Sequence, residues 1–198
     1  MSVFDLLTQN HHLDSKITAG LERLSQVFKT LLWDKAKQQG LSPIQIQILI
    51  FIHHHSIEKS TVSYLAKEFN VTKPTISDAI KILEQKNLIE KTSDTTDTRS
   101  YTINLTDLGR TVVKETEDFP EPIAKILSQS STNEKEILWN TLSTLIADLN
   151  RSDIISVQRI CFNCKHYSKD EYHHYCNLLN IKLEQKDIRI DCPEFELN

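Results

Sequence analysis

The sequence predicts a mainly helical chain with a short two-stranded ribbon near its middle and a separate small module at its C-terminal end. Three observations carry this prediction. Only 3 glycines and 5 prolines interrupt 198 residues, of which 39% are hydrophobic. That composition suits ordered helices and is too apolar and too nearly neutral for a disordered chain. Apolar residues recur at three- and four-residue steps along most of the first 150 positions and alternate only around 88–105. All four cysteines, Cys161, Cys164, Cys176 and Cys192, fall in the last 38 residues.

Ile17, Leu21, Leu24, Phe28 and Leu31 or Leu32 form one apolar stripe on a helix over 11–38, with Gly40 as its stop. Ser42 and Pro43 supply an N-cap and a first-turn proline for a second helix that reaches about His55. Isoleucines, a leucine and a phenylalanine at 44, 46 and 48–52 surround it almost completely, so it is expected to be central and buried. Ser60 or Thr61 caps a short third helix holding Val62, Leu65, Ala66 and Phe69, and a break follows at Asn70 and Val71. Thr72 caps a fourth helix with Pro74 in its first turn and Ile76, Ile80 and Leu83 on its inner side. Residues 88–92 and 101–105 read as strands joined by the polar tip SDTTDTRS. Thr106 starts another helix, interrupted at Pro120-Glu121-Pro122. Ser131 and Glu134 form a capping box for a last helix bearing Leu138, Leu142, Leu145 and Leu149 on one side. The expected units are helical arms at 1–58 and 107–152, a compact lobe at 59–106 and a cysteine-rich module at 153–198.

Composition also excludes classes. The longest aliphatic run, Ile48 to Ile52, is far too short to span a bilayer, and the N-terminus lacks the basic start and apolar stretch of a signal peptide. A cytoplasmic protein with no membrane partner is expected, where thiols stay reduced and clustered cysteines bind metal more often than they form disulfides. The chain has no G-x-S-x-G, P-loop, H-E-x-x-H or G-x-G-x-x-G pattern, so it is not expected to be an enzyme. Net charge is -4 overall, yet residues 59–114 carry a net +2.

Helix, tight turn, helix and ribbon make a winged helix-turn-helix. The N-terminal end of the fourth helix suits a DNA major groove about 12 Å wide, offering backbone N–H groups to phosphate. That end carries Thr72, Lys73 and Thr75, while Ser77, Asp78 and Lys81 face outward. Arg99 at the ribbon tip suits an adjacent minor groove. The competing reading is a winged helix that binds protein and not DNA.

Leu65-Ala66, Val71-Thr72 and Lys73-Pro74-Thr75-Ile76-Ser77, then Asp97-Thr98-Arg99 and Leu105-Thr106-Asp107-Leu108-Gly109, resemble the DNA-binding domain of the multiple-antibiotic-resistance regulator (MarR) family. With its flanks the resemblance covers about residues 10–150. It implies a homodimer built by the first and last long helices, binding a pseudo-palindromic double-stranded operator, most often as a repressor. It places the recognition role on Thr72, Lys73, Thr75, Ser77, Asp78 and Lys81 and the wing role on Arg99, with Asp97 positioning the arginine. Many relatives sense a small-molecule effector between the reading lobe and the dimer helices. The wing departs from the family in holding one basic residue, which implies modest, salt-sensitive phosphate affinity.

The tail spacing is C-x2-C-x11-C-x15-C. Two thiolates on one tight turn and two from elsewhere can complete a four-sulfur metal site, stapling a module with too little apolar material to fold alone. Phe162, Tyr167, Tyr172, Tyr175 and Phe195 are expected around it. Structural zinc is the expectation. A [4Fe–4S] cluster, suited by four cysteines and a final Cys192-Pro193, and a thiol switch are alternatives, and either would make the chain an iron- or redox-responsive regulator. His166, His173 and His174 are read as neighbours of the site and not as ligands. His53, His54 and His55 are read as imidazoles at a helix C-terminus.

Overall fold

A computed structural model describes residues 2–93, 101–157, 159–171 and 173–197. Eight α-helices and five strands are found among them: α1 Leu6–His11, α2 Leu13–Gln38, α3 Pro43–His54, α4 Val62–Glu68, α5 Lys73–Gln85, β1 Ile89–Ser93, β2 Tyr101–Leu105, α6 Asp107–Thr116, α7 Glu121–Ser128, α8 Thr132–Arg151, β3 Tyr167–Lys169, β4 His174–Cys176 and β5 Ile181–Leu183.

The N-terminal helix differs from expectation. Asp5 caps a short α1 by accepting from the Thr8 N–H at 2.8 Å, and the chain is extended at His12 before α2 begins. A helix of less than two turns shows no apolar period, so only the Asp-x-x-Thr cap marks it in the sequence. α2 ends as expected at Gly40, whose φ of +59° is the left-handed conformation glycine adopts without strain. The Leu41 N–H then donates to the Ala36 carbonyl at 2.9 Å.

α3 is the centre of the main core. Ile46, Ile48 and Leu49 are fully buried, and α2, α5, α6 and β2 all pack on it. The nearly all-round apolar sequence is satisfied because neighbours cover several sides of the helix. Ser42 and Gln45 close its capping box. α4 and α5 meet through a turn at Asn70, whose φ of 53° suits asparagine. Asn87, at φ 55°, ends α5 in the same way, with the Leu88 N–H reaching back to the Leu83 carbonyl at 3.0 Å. β1 and β2 pair antiparallel with Ile89 opposite Leu105 and Ser93 opposite Tyr101. The Ile103 N–H donates to Ser60 O at 2.9 Å and ties the ribbon to the lobe.

Thr106 joins three parts. Its hydroxyl donates to Asn87 O at 2.7 Å and accepts from the Gly109 N–H at 3.0 Å, while its own N–H reaches Leu88 O at 3.1 Å. Gly109 presses on the same carbonyl, and a Cβ there would lie 2.0 Å from Leu88 O.

After α8 the chain turns at Asp153 and builds a second small core on that helix. Ala147 of α8 packs with Ile160, Leu183 and Ile188, and the Trp139 indole N–H donates to Gln185 O at 3.1 Å. β3, β4 and β5 form an antiparallel sheet that was not anticipated, because three-residue strands are too short to show a period. Gly109→Ala is expected to cost about 1–3 kcal/mol of stability through overpacking against Leu88 O, read from the urea midpoint. An unchanged midpoint would mean that α6 and the ribbon are free to separate.

Candidate nucleic-acid interface and cysteine cavity

On α5, Ile76, Ala79, Ile80 and Leu83 are buried, and Thr72, Lys73, Thr75, Ser77, Asp78 and Lys81 are all exposed. The helix thus turns its expected reading residues to solvent. The Thr72 hydroxyl accepts from the Thr75 N–H at 3.3 Å and shares a hydrogen bond with the Thr75 hydroxyl at 2.9 Å. These two hydroxyls shape the helix start, which leaves Lys73, Ser77, Asp78 and Lys81 as the groups best disposed to reach a groove. Lys91 of β1 pairs with Glu84 of α5 at 2.6 Å and sits 5.1 Å from the Tyr101 ring centroid, fixing the ribbon beside α5. Asp97 and Arg99 lie outside the described residues.

The four cysteines converge. Cys161 opens a single turn of 3₁₀ helix, Cys176 ends β4, and Cys161, Cys164, Cys176 and Cys192 line one cavity together with Leu178, Leu179, Leu183, Tyr167 and Tyr175. All four are free thiols. Burial pushes the Cys161 and Cys192 thiols above their ordinary range. The Arg189 N–H donates to Cys161 Sγ at 3.2 Å, and its guanidinium lies 3.7 Å from Cys192 Sγ. Among the described residues, no three or more His, Cys, Asp and Glu side chains stand in an arrangement that could hold a metal ion. His166 lies against the cavity but bonds Glu196 at 3.1 Å, and the His174 Nδ1 shares a hydrogen bond with the Tyr167 hydroxyl.

A buried ion-pair network links these two regions. Arg159 is only 6% exposed. Its Nη1 donates to Glu68 Oε2 at 2.7 Å and to the Tyr64 hydroxyl at 3.0 Å, both on α4. Its Nη2 reaches Asp191 Oδ2 at 3.0 Å, and its Nε also bonds that carboxylate. The guanidinium lies 5.6 Å from the Phe51 ring centroid, and His55 stacks on the same ring and bonds Asp191 at 2.7 Å. Burial opposes the Asp191 charge, but hydrogen bonds from Arg159 and His55 outweigh it and hold the carboxyl below its usual range. Burial likewise opposes the Arg159 charge and is outweighed by Asp191 and Glu68, so its pKa is raised. Ser156 adds a bond to Asn70 in the α4–α5 turn at 3.1 Å.

Residues 39–100 match the family model described as MarR family. Over 114 residues the chain is 27% identical to the transcriptional regulator AdcR of Streptococcus pneumoniae serotype 2, covering 56% of this chain and 76% of that protein. Over 97 residues it is 33% identical to the HTH-type transcriptional repressor MdtR of Bacillus subtilis, covering 49% of this chain and 61% of the relative. Its fold resembles that of S. aureus MepR in complex with DNA, with a TM-score of 0.59 at 28% identity over 67% of this chain and 97% of that one. MepR in its DNA-binding conformation matches with a TM-score of 0.59 at 26% identity, over 67% of this chain and 98% of that one. These relatives are named as transcription regulators. Among the described residues, no helix is long and apolar enough to cross a membrane.

Arg159→Met should leave Glu68, whose side chain is 15% exposed, without its partner. A loss of about 3–5 kcal/mol is expected, as for a buried pair stripped of one member, measured by urea denaturation. A loss under about 1 kcal/mol would give the pair the small weight of a surface ion pair.

Proposed function

We propose that this chain, a winged-helix transcription regulator of the MarR type, binds a pseudo-palindromic operator as a homodimer and represses by occupying it. The observation that carries the reading is the exposed polar face of α5, set on a buried apolar face within a fold shared with a DNA-bound relative. Lys73 and Lys81 supply phosphate or base contacts, Ser77 and Asp78 lie between them on the same helix, and the family resemblance gives Arg99 the wing contact and Asp97 the task of positioning it. Thr72 and Thr75 hold the helix start, whose N–H groups face phosphate.

Dimerisation is supported by apolar side chains that one chain leaves in solvent. Leu24, Val27, Phe28 and Trp33 on α2 and Ile137, Leu138 and Leu145 on α8 are all at least 38% exposed. Such clustering on two long helices exceeds the scattered apolar exposure of a monomer. A metal held by the tail thiols belongs to the same proposal, with zinc as the expectation from ligand type alone.

The DNA immediately upstream of the protein's own coding sequence is the probe. Wild-type chain is expected to bind it well above unrelated duplex. Lys73→Ala and Arg99→Ala should each weaken binding and lower the slope of log K against log salt by about 1.8, one phosphate contact being lost in each protomer of the dimer. No preference for that DNA by the wild type, together with no effect of either substitution, would sink the reading. Separately, Phe28→Asp should convert a two-chain particle into a single chain by light scattering. A dimer that survives that change would move the interface off α2.

A further inference from the structure

Two adjacent residues of the tail hold different parts of the molecule. Arg159 faces the reading lobe and meets both oxygens of Glu68 on α4, with Nη1 to Oε2 at 2.7 Å and Nη2 to Oε1 at 3.1 Å. Ile160, next in the chain and fully buried, packs in the small core with Ala147 of α8. One peptide unit therefore joins the lobe to the arm, and so short a link leaves little slack between them. Both ends are reinforced. On the lobe, Asp191 accepts from His55 at the end of α3 at 2.7 Å, and Ser156 donates to Asn70 in the turn that leads into α5 at 3.1 Å. On the arm, the Asn150 side chain of α8 donates to Ile155 O at 2.7 Å and accepts from the Asn163 amide at 2.7 Å. Among the described residues, α8 packs chiefly on the tail, at the 3₁₀ turns Cys161–Asn163 and Gln185–Asp187, and not on α3, α4 or α5. Within one chain, the tail is thus the bridge from α8 to the lobe.

We propose that the tail is a strap that fixes the reading lobe at one angle to α8, and that Arg159 and Glu68 are positioning residues that set which half-site spacing the dimer accepts. The inference rests on the reading of the chain as a dimeric DNA binder. Arg159 is buried, so it acts on DNA only through the lobe it holds. The exposed Leu138 and Leu145 lie on the side of α8 roughly opposite Ala147. A dimer built on them leaves the tail-bearing face of the helix in place. Partner, α8, tail and lobe then form one rigid series that sets the separation of the two α5 helices. Half-sites one helical turn apart lie about 34–36 Å from each other, and one added base pair shifts a half-site by about 3.4 Å and turns it by about 35°. A lobe held at one angle matches one spacing. A lobe released from the strap must be ordered anew at every spacing, and it rejects none of them sharply.

Footprinting locates the site that the wild type occupies upstream of its own coding sequence. Duplexes are then made with one base pair inserted or removed at the centre of that site. Full-length wild type is expected to bind both altered duplexes about tenfold more weakly than the natural one. Glu68→Gln and Arg159→Lys should bind the natural spacing about five- to tenfold more weakly and separate the three spacings by less than about threefold. Circular dichroism and light scattering confirm that each variant is folded and dimeric, since loss of fold alone would weaken binding without flattening the spacing preference. Tyr64→Phe removes one hydrogen bond from Arg159 and no charge. It replaces either variant that does not fold, and it should flatten the preference by a smaller factor. Folded variants that keep the full wild-type spacing preference, or that bind the natural site more tightly, overturn the strap. If the wild type prefers no upstream duplex at any spacing, the DNA-binding reading fails and the strap falls with it.

Discussion

Arg159 brings a permanent positive charge into a site where water barely reaches, and the contact between the tail and the reading lobe is built around making that tolerable. Isolated, such a charge would be strongly unfavourable. It is tolerated because a planar fork can meet two carboxylates at once while its face lies over an aromatic ring. Glu68 comes from the reading lobe and Asp191 from the tail, so neither unit satisfies the arginine alone. A lysine, with one compact ammonium, could not reproduce the two-sided geometry. Toward the lobe, the position of the tail therefore depends on polar complementarity more than on shared apolar surface.

The two faces of the tail differ in kind. Toward α8 it offers Ile160, Leu183 and Ile188 to Ala147, with Trp139 and Gln185 closing the edge. Toward the lobe it offers Arg159, Asp191 and Ser156. The apolar face resists separation over a wide range of conditions, whereas the polar face depends on geometry held to fractions of an ångström. The tail thus belongs with the helical arm and engages the lobe through contacts that small displacements can weaken.

How much of this was legible followed the range of the interactions. Thr72, Ser131 with Glu134, and Gly40 act on neighbours within a few residues, and their roles were readable in the string. The inner face of α5 was equally plain, because 3.6-residue periodicity states it. The stripe at Leu24 and Phe28 was visible, yet a stripe does not say whether its cover comes from the same chain. α1 and the tail strands are shorter than any period that would reveal them. The Arg159 network was invisible because its partners are 91 and 32 residues away, and no local pattern encodes a pairing at that distance. The clustering of the four cysteines was readable, whereas their lining a single cavity with Leu178, Leu179 and Leu183 depends on how the short tail strands fold and was not.

With Thr72 and Thr75 bonded to each other at the start of α5, the exposed polar groups on its first turns are Lys73, Ser77, Asp78 and Lys81. No arginine stands among them, so on the DNA-binding reading proposed above a two-pronged contact to guanine would fall to a lysine, whose flexible ammonium holds that geometry less firmly than a planar fork. Much of the discrimination would then pass to water and to the stiffness of the duplex. Target sites would share a shape and spacing more than a spelling.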